Sequence, residues 1–281
     1  MRHIAVFVNS LAGKGKPLQV LPVLLSALER FKISYDVIKD QFPENLNHFT
    51  DVVIVGGDGS INYIINRYPE ISIPIGIIPS GSGNDLAYTL FPGSDLDEQI
   101  DNALHGPTQY IDAGQCNGRI FLNCLGVGFD GEVAKEVQNV KWLNGVLKYY
   151  WVVVKKIITY RSSSIKVSWM GGQLSSPLFM VTAANGYRSG GGFKVAPGAD
   201  WQDGLLELVI IHPLPVWKRF RYLPWIEKGK HLNLPFIDNY KTERIFIHSE
   251  KKMTGHLDGE IIQSDHFDIS VMRGRYLFRS K

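Results

Sequence analysis

Asp58 is set among glycines, in Gly56-Gly57-Asp58-Gly59-Ser60. Glycines so closely spaced let a phosphate chain lie directly against the backbone. A carboxylate there would repel phosphate unless a cation intervened, so the stretch implies an Mg²⁺ bridge. Ser60 has the chemistry of a helix N-cap, and a tight turn with a capping aspartate would use the same residues. Upstream, Asn9-Ser10-Leu11-Ala12-Gly13-Lys14-Gly15-Lys16 offers glycines for close approach, with N–H groups and lysines for an anion. Its spacing fits neither the P-loop nor the dinucleotide-binding G-x-G-x-x-G, and a flexible turn with solvated lysines would look alike. Pro79-Ser80-Gly81-Ser82-Gly83-Asn84-Asp85 repeats the logic, with hydroxyls at Ser80 and Ser82 and Asp85 in a first helical turn. A helix cap with an Asx turn is the plainer alternative.

These stretches must be held by the elements around them. Short apolar runs at His3–Val8, Tyr35–Ile38, Val52–Val55 and Ile75–Ile78 predict strands. Helical patterns follow over Pro17–Phe31, Ser60–Arg67, from the third loop through Leu90, and over Leu96–Leu104. Strands alternating with helices imply a mostly parallel sheet, which binds ligands at the carboxyl ends of its strands. All three glycine-rich turns fall at such ends. After Tyr110 the texture changes to short apolar or alternating runs at Ile120–Cys124, Ile165–Trp169, Phe179–Ala183, Leu205–Ile211, Arg244–His248 and Phe267–Val271. Turn pairs such as Asp203-Gly204 and Asp258-Gly259 separate them, as in an antiparallel β-sandwich. Helical insertions fit Asn144–Thr159 and Val216–Glu227, the second to be ended or kinked by Pro224. The expected organisation is an α/β domain over 1–110, with 273–281 returning to it, and a β-sandwich domain over 111–272.

The 281 residues carry a net charge of +3 with no long basic block, which argues against nucleic acid as partner. Cys116 and Cys124 form neither a disulfide framework nor a metal-ligand spacing and are expected to be reduced. The apolar N-terminus is too short for a signal sequence, and the longest apolar candidate span, Val146 to Tyr160, is broken by Lys148, Lys155 and Lys156. A cytoplasmic protein is expected. Trp217-Lys218-Arg219-Phe220-Arg221-Tyr222, and Tyr149, Tyr150 and Trp151 beside those lysines, suit an anionic membrane interface. Core aromatics with solvated charges would read similarly.

Gly56-Gly57-Asp58-Gly59-Ser60 resembles the GGDG[T/S] signature of the diacylglycerol-kinase catalytic family, distantly similar to NAD kinases and phosphofructokinases. Ser80 to Asp85 after Ile77-Ile78-Pro79 resembles that family's P-x-G-[TS]-x-N-D, and Asn9 to Gly13 its opening N-P-x-S-G. The order continues through Ile111-Asp112, Phe121-Leu122-Asn123, Gly126 to Asp130, Asn185-Gly186, Gly190 to Gly192, Ala196-Pro197, Asp203-Gly204-Leu205 and Asp258-Gly259-Glu260. It spans nearly the whole chain. The resemblance implies a two-domain ATP-dependent lipid kinase, related also to sphingosine kinase, with its site in the inter-domain cleft. ATP would lie over Asn9–Gly13, over Gly56 to Asn62, and over Ser82 and Asn84. Asp58 and Asp85 would face the Mg²⁺–phosphate group. Asp258 would be the general base on the lipid hydroxyl, with Glu260 helping to place metal or base. Bacterial members hold a second, structural Mg²⁺; here Asp203 would contribute to it, with the carbonyls of Asp200 and Leu205. The partners implied are a hydroxyl-bearing lipid and a peripheral anionic membrane surface, and a homodimer is left open. Tyr63 departs from the family, which usually has an acidic residue after the Asn of the GGDG helix. A nucleotide-binding regulatory protein that has lost catalysis is the alternative, and an NAD kinase a remoter one.

Overall fold

The structure is a computed structural model and describes residues 2–10, 12–39, 41–140, 143 and 145–281. Chain contacts divide it into two units, Met1–Ile111 with Gly274–Lys281, and Asp112–Arg273.

The first unit is built on βαβ repeats. β1 (His3–Val8) is followed by α1 (Lys16–Arg30) and β2 (Ser34–Ile38), then β3 (Asp51–Gly56), α2 (Asp58–Arg67) and β4 (Ile75–Pro79). β1 lies between β2 and β3, and β4 pairs with β3, every pairing parallel. β1 and β3 are almost wholly buried and read as continuous apolar runs, because helices cover both faces of such a sheet. Ile4, Val6, Val8, Val53 and Val55 form one core cluster with Leu24 and Leu28 of α1. Two short helices complete the unit, α3 (Asp85–Leu90) and α4 (Leu96–His105), the latter N-capped by Asp95 accepting from the Glu98 N–H. The C-terminal tail adds a further parallel contact, Phe278 opposite Ile75. Asp51 holds it there by accepting from Arg279 at 2.5 Å while also accepting twice from Arg2, at 3.0 and 2.8 Å.

The second unit is antiparallel. Its strands are the end of β5 (Thr108–Cys116), β6 (Arg119–Phe121), β7 (Cys124–Gly128), β8 (Ser163–Trp169), β9 (Gly172–Leu178), β10 (Met180–Ala184), β11 (Leu206–Ile211), β12 (Ile237–Thr242), β13 (Arg244–Leu257) and most of β14 (Glu260–Arg279). One run pairs β12, β11, β10, β7 and the end of β13. The start of β13 instead pairs with β8, and β8 with β9, the exchange falling across a bulge between His248 and Met253. A bulge bends a strand and lets it serve two layers. Val127, Val181, Leu208, Ile247 and Phe267 are buried together in the sandwich core.

Three helices belong to this unit: α5 (Phe129–Asn139), α6 (Gly145–Thr159) and α7 (Val216–Glu227). α5 is absent from the sequence reading, since Gly131 and the charged Asp130, Glu132, Lys135 and Glu136 obscure its apolar spacing. The expected start of the next helix, Asn144, lies outside the described residues. Pro224 does not end α7, which runs on to Glu227. The expected strand Ile120–Cys124 is two strands with a break at Leu122-Asn123.

Candidate functional site

In the first unit the three glycine-rich loops interlock. The Ser80 N–H donates to the Gly56 carbonyl (2.9 Å), and Asn9 Nδ2 donates to Ser60 Oγ (3.0 Å). Ser60 is therefore no N-cap; α2 starts from Gly57 without a side-chain cap. A Cβ on Gly57 would come within 2.8 Å of the Gly81 Cα, and one on Gly13, held at φ 51°, within 1.9 Å of the Ser80 carbonyl oxygen. Only glycine permits that approach. Asn84 closes the third loop, accepting from the Gly81 N–H (2.9 Å) and donating to its carbonyl (3.1 Å).

Asp58 links the second loop to the third. Its Oδ2 accepts from the Asp85 N–H and its Oδ1 from the Leu86 N–H, both at 3.1 Å, so it caps α3 from another element. Asp85 is 3% exposed. Two carboxylates at adjoining helix starts are hard oxygen donors of the kind Mg²⁺ takes together with phosphate oxygens, so their chemistry fits that ion. Among the remaining expected nucleotide residues, Ser82 and Gly59 are exposed, Ser10, Ala12 and Gly13 are half-buried, and Leu11 lies outside the described residues. Asn62 is buried, with its carbonyl and Oδ1 accepting from Asn66 Nδ2.

A pocket of about 290 Å³ opens beside these loops, lined by Asn9, Ser10 and Ser60 and by the rings of Phe7, Phe42 and Tyr63. Phe42 stacks on Phe7 at 5.7 Å between centroids and meets the edge of Tyr63 at 5.3 Å. Lys39 also lines it. Sequence reading missed Phe7 and Phe42, because apolar residues at a pocket look like any core, and Lys39, which stands in no motif.

In the second unit, Asp258-Gly259 is a two-residue hairpin turn with φ 50° and 93°, Leu257 facing Glu260. The turn is also tied to a distant segment. Asp258 Oδ2 accepts from the Leu122 N–H (2.7 Å), and Oδ1 from the N–H groups of Asn123 (2.9 Å) and Cys124 (3.0 Å). At the break between β6 and β7 these donors face the carboxylate. Asn185 holds the break from the other side, donating from Nδ2 to the carbonyls of Leu122 (2.8 Å) and Asp112 (2.9 Å). Glu260 is exposed and begins β14.

His256 lies two residues before Asp258, near the end of β13. Its Nε2 is 2.9 Å from Asp130 Oδ2, and its Nδ1 accepts from the Gly259 N–H (3.2 Å), so the neutral ring carries its proton on Nε2 toward Asp130. Burial works hardest against the imidazolium, yet the Asp130 carboxylate, helped by Asp258, outweighs it and raises the pKa. The pair lies over Gly126, where a Cβ would meet Asp130 Oδ2 at 2.3 Å. His256 and Asp130 thus hold the turn that carries Asp258. The H-x-D-G spacing was the available signal.

Of the donors expected for a structural Mg²⁺, the Asp203 side chain is bonded within the protein, and the Asp200 carbonyl accepts from the Asp203 N–H at 3.4 Å. Lys241 Nζ donates to Asp203 Oδ2 at 2.6 Å, and Asp203 Oδ1 accepts from the Leu205 N–H at 3.0 Å. Asp200 Oδ1 accepts from the Gln202 N–H (3.0 Å). Glu207, cross-strand from Lys241, is buried, and burial raises its pKa. The Lys241 ammonium supplies a positive charge beside Asp203. Lys241→Met should cost about 1 kcal/mol or less, because the pair is partly exposed and screened. Thermal melts check it.

Residues 3–116 match the family described as the diacylglycerol kinase catalytic domain, and residues 123–272 the YegS C-terminal NAD kinase beta sandwich-like domain. A diacylglycerol kinase of Bacillus subtilis is 31% identical over 222 residues, 76% of this chain and 72% of that one. The chain belongs to the diacylglycerol kinase family. A second member, from Mycobacterium tuberculosis, is 29% identical over 260 residues, covering 87% and 84% of the two chains. The fold agrees: the crystal structure of a diacylglycerol kinase from Bacillus anthracis superposes with TM-score 0.78 at 21% identity, over 100% of this chain and 97% of that one. An NAD kinase from Archaeoglobus fulgidus in complex with ATP gives 0.58 at 15% identity, over 100% and 94%. The family is one of lipid kinases, and the fold is shared with NAD kinase. No helix among the described residues is long and apolar enough to cross a membrane.

Proposed function

We propose that the protein transfers the γ-phosphoryl group of ATP to a hydroxyl of diacylglycerol or a similar membrane lipid. The interlock of three glycine loops at the carboxyl ends of parallel strands carries this reading. Loops that pack backbone to backbone present N–H groups at close range, which is what a phosphate chain needs. The triphosphate rests on the Asn9–Gly13 and Gly56–Ser60 loops, with the base in the pocket against Phe42 and Tyr63. Asp58 and Asp85 would hold Mg²⁺, which when bound neutralises phosphate charge. Asp258 takes the proton from the lipid hydroxyl as its oxygen forms a bond to the γ-phosphorus. The bond from that phosphorus to the bridging oxygen breaks, and ADP leaves with the electron pair. The three backbone donors fix the carboxylate's orientation for that step.

Labelled transfer from ATP to lipid in mixed micelles tests the proposal. ATP binding without any labelled lipid would overturn it in favour of a regulatory nucleotide-binding protein. The base pocket makes its own prediction. Tyr63→Ala is expected to raise KM for ATP about tenfold with kcat little changed, since it removes ring contact made equally in ground and transition states. Steady-state kinetics over a range of ATP concentrations checks it.

A further inference from the structure

α6 has two apolar faces. Val152, Val153 and Ile157 are buried against Val133 of α5, forming a small core. Leu147, Trp151, Val154 and Ile158 recur at helical spacing along another face and are all exposed, Leu147 to 73%. α7 has no buried residue, and it leaves Trp217 63% exposed, with Phe220 and Trp225 also in solvent.

The two helices run antiparallel and are tied at both ends. Arg219 Nη1 donates to the carbonyls of Ile157 (2.8 Å) and Tyr160 (2.9 Å), where a cation suits a helix C-terminus, and Tyr150 Oη donates to Glu227 (2.7 Å). Arg219 also lies over the Phe179 ring. Arg219 is thus a strut between helices and not a surface contact, against the sequence reading. Lys155 and Lys156 are drawn to Glu136 and Glu132 of α5. Lys148, Lys218 and Arg221 remain, forming no ion pair among the described residues, and Lys218 lies beside the Trp217 ring. α6 contains no acidic residue, and the one acid of α7, Glu227, is bonded to Tyr150.

We infer that this two-helix face docks on an anionic bilayer. Exposed tryptophans and aliphatics enter the headgroup boundary while Lys148, Lys218 and Arg221 meet lipid phosphates. Fifteen residues of α6 span about 22 Å, too short to cross a bilayer, so the helix lies in the interface plane. The unpaired cations favour an anionic lipid surface over a second copy of the same face, which would set like charges together. The inference rests on the lipid-kinase reading, because docking brings the protein to its acceptor.

The test is flotation of the full chain with phosphatidylcholine vesicles, with and without phosphatidylglycerol. Wild type is expected to float with the anionic vesicles. Trp151→Ser with Ile158→Ser, and separately Trp217→Ser with Lys218→Ser, should lower the bound fraction by at least about tenfold. Phosphorylation of a soluble short-chain diacylglycerol should be kept by both, which shows that they fold. Lys218→Ser with Arg221→Ser, confined to the surface, should remove the preference for anionic vesicles. Failure of wild type to float, or flotation of all variants like wild type, would overturn the inference. So would a wild-type dimer in sedimentation that these variants dissociate while vesicles are ignored. Flotation of wild type with no transfer to any lipid would instead sink the kinase reading and leave the docking face standing.

Discussion

Asp258→Asn is expected to lower lipid-dependent phosphate transfer by about 10²–10⁴-fold, the usual contribution of a positioned general base. The amide cannot take the proton. It also cannot reproduce the carboxylate's contacts: in wild type the two oxygens accept from three backbone N–H groups, of Leu122, Asn123 and Cys124. Whichever way the amide turns, its NH₂ faces a donor. One charge-assisted bond to the break between β6 and β7 is lost, at about 1.5–3 kcal/mol. The expected result is therefore double, a collapse of kcat and a lower melting temperature. A variant destabilised but still active would show Asp258 to be a turn residue only.

The second large effect is expected at Asp58. Asp58→Ala removes the acceptor for the N–H groups of Asp85 and Leu86, costing about 1–2 kcal/mol as other cap losses do. It also leaves the third loop untied from the second and takes away one of two carboxylates that would hold Mg²⁺. Transfer should fall by about 10²–10³-fold, as when a single preorganised electrostatic group is removed. Asp58→Asn should recover part of the stability, because its remaining oxygen can still accept one N–H, but little of the rate. Kinetics at increasing Mg²⁺, run beside thermal melts, checks this. Full recovery of the rate by asparagine would mean that Asp58 serves only to cap α3.

Much of the architecture follows from local chemistry. Periodicity and glycine placement mark the βαβ repeats of the first unit, since a strand buried on both faces must be apolar throughout. Alternation and turn pairs mark the sandwich of the second. The same residues disclose the three interlocking loops, because only glycine admits a backbone so close. The spacing of Gly13, Gly57 and Asp58 is therefore visible without coordinates, and so is the order of motifs up to Asp258-Gly259.

The partners of those residues are another matter. The sequence suggested that Ser60 caps its own helix; the structure turns it to Asn9, and a carboxylate on a different element does the capping of α3. Asp258 looked like a hairpin residue and is one, but its aim at the amides of residues 122–124 depends on a strand break held by Asn185. His256 and Asp130 lie far apart in the chain and meet only when β13 and α5 pack. Lys241 and Asp203 are likewise distant in the chain, and nothing in the local spacing foretells their pairing. Arg219 read as a membrane contact until its carbonyl partners on α6 were seen. The physical reason is common to all of these. Backbone propensity and spacing act over a few residues, whereas hydrogen-bond partners and charge neutralisation are chosen across the sheet, where chain distance carries no information.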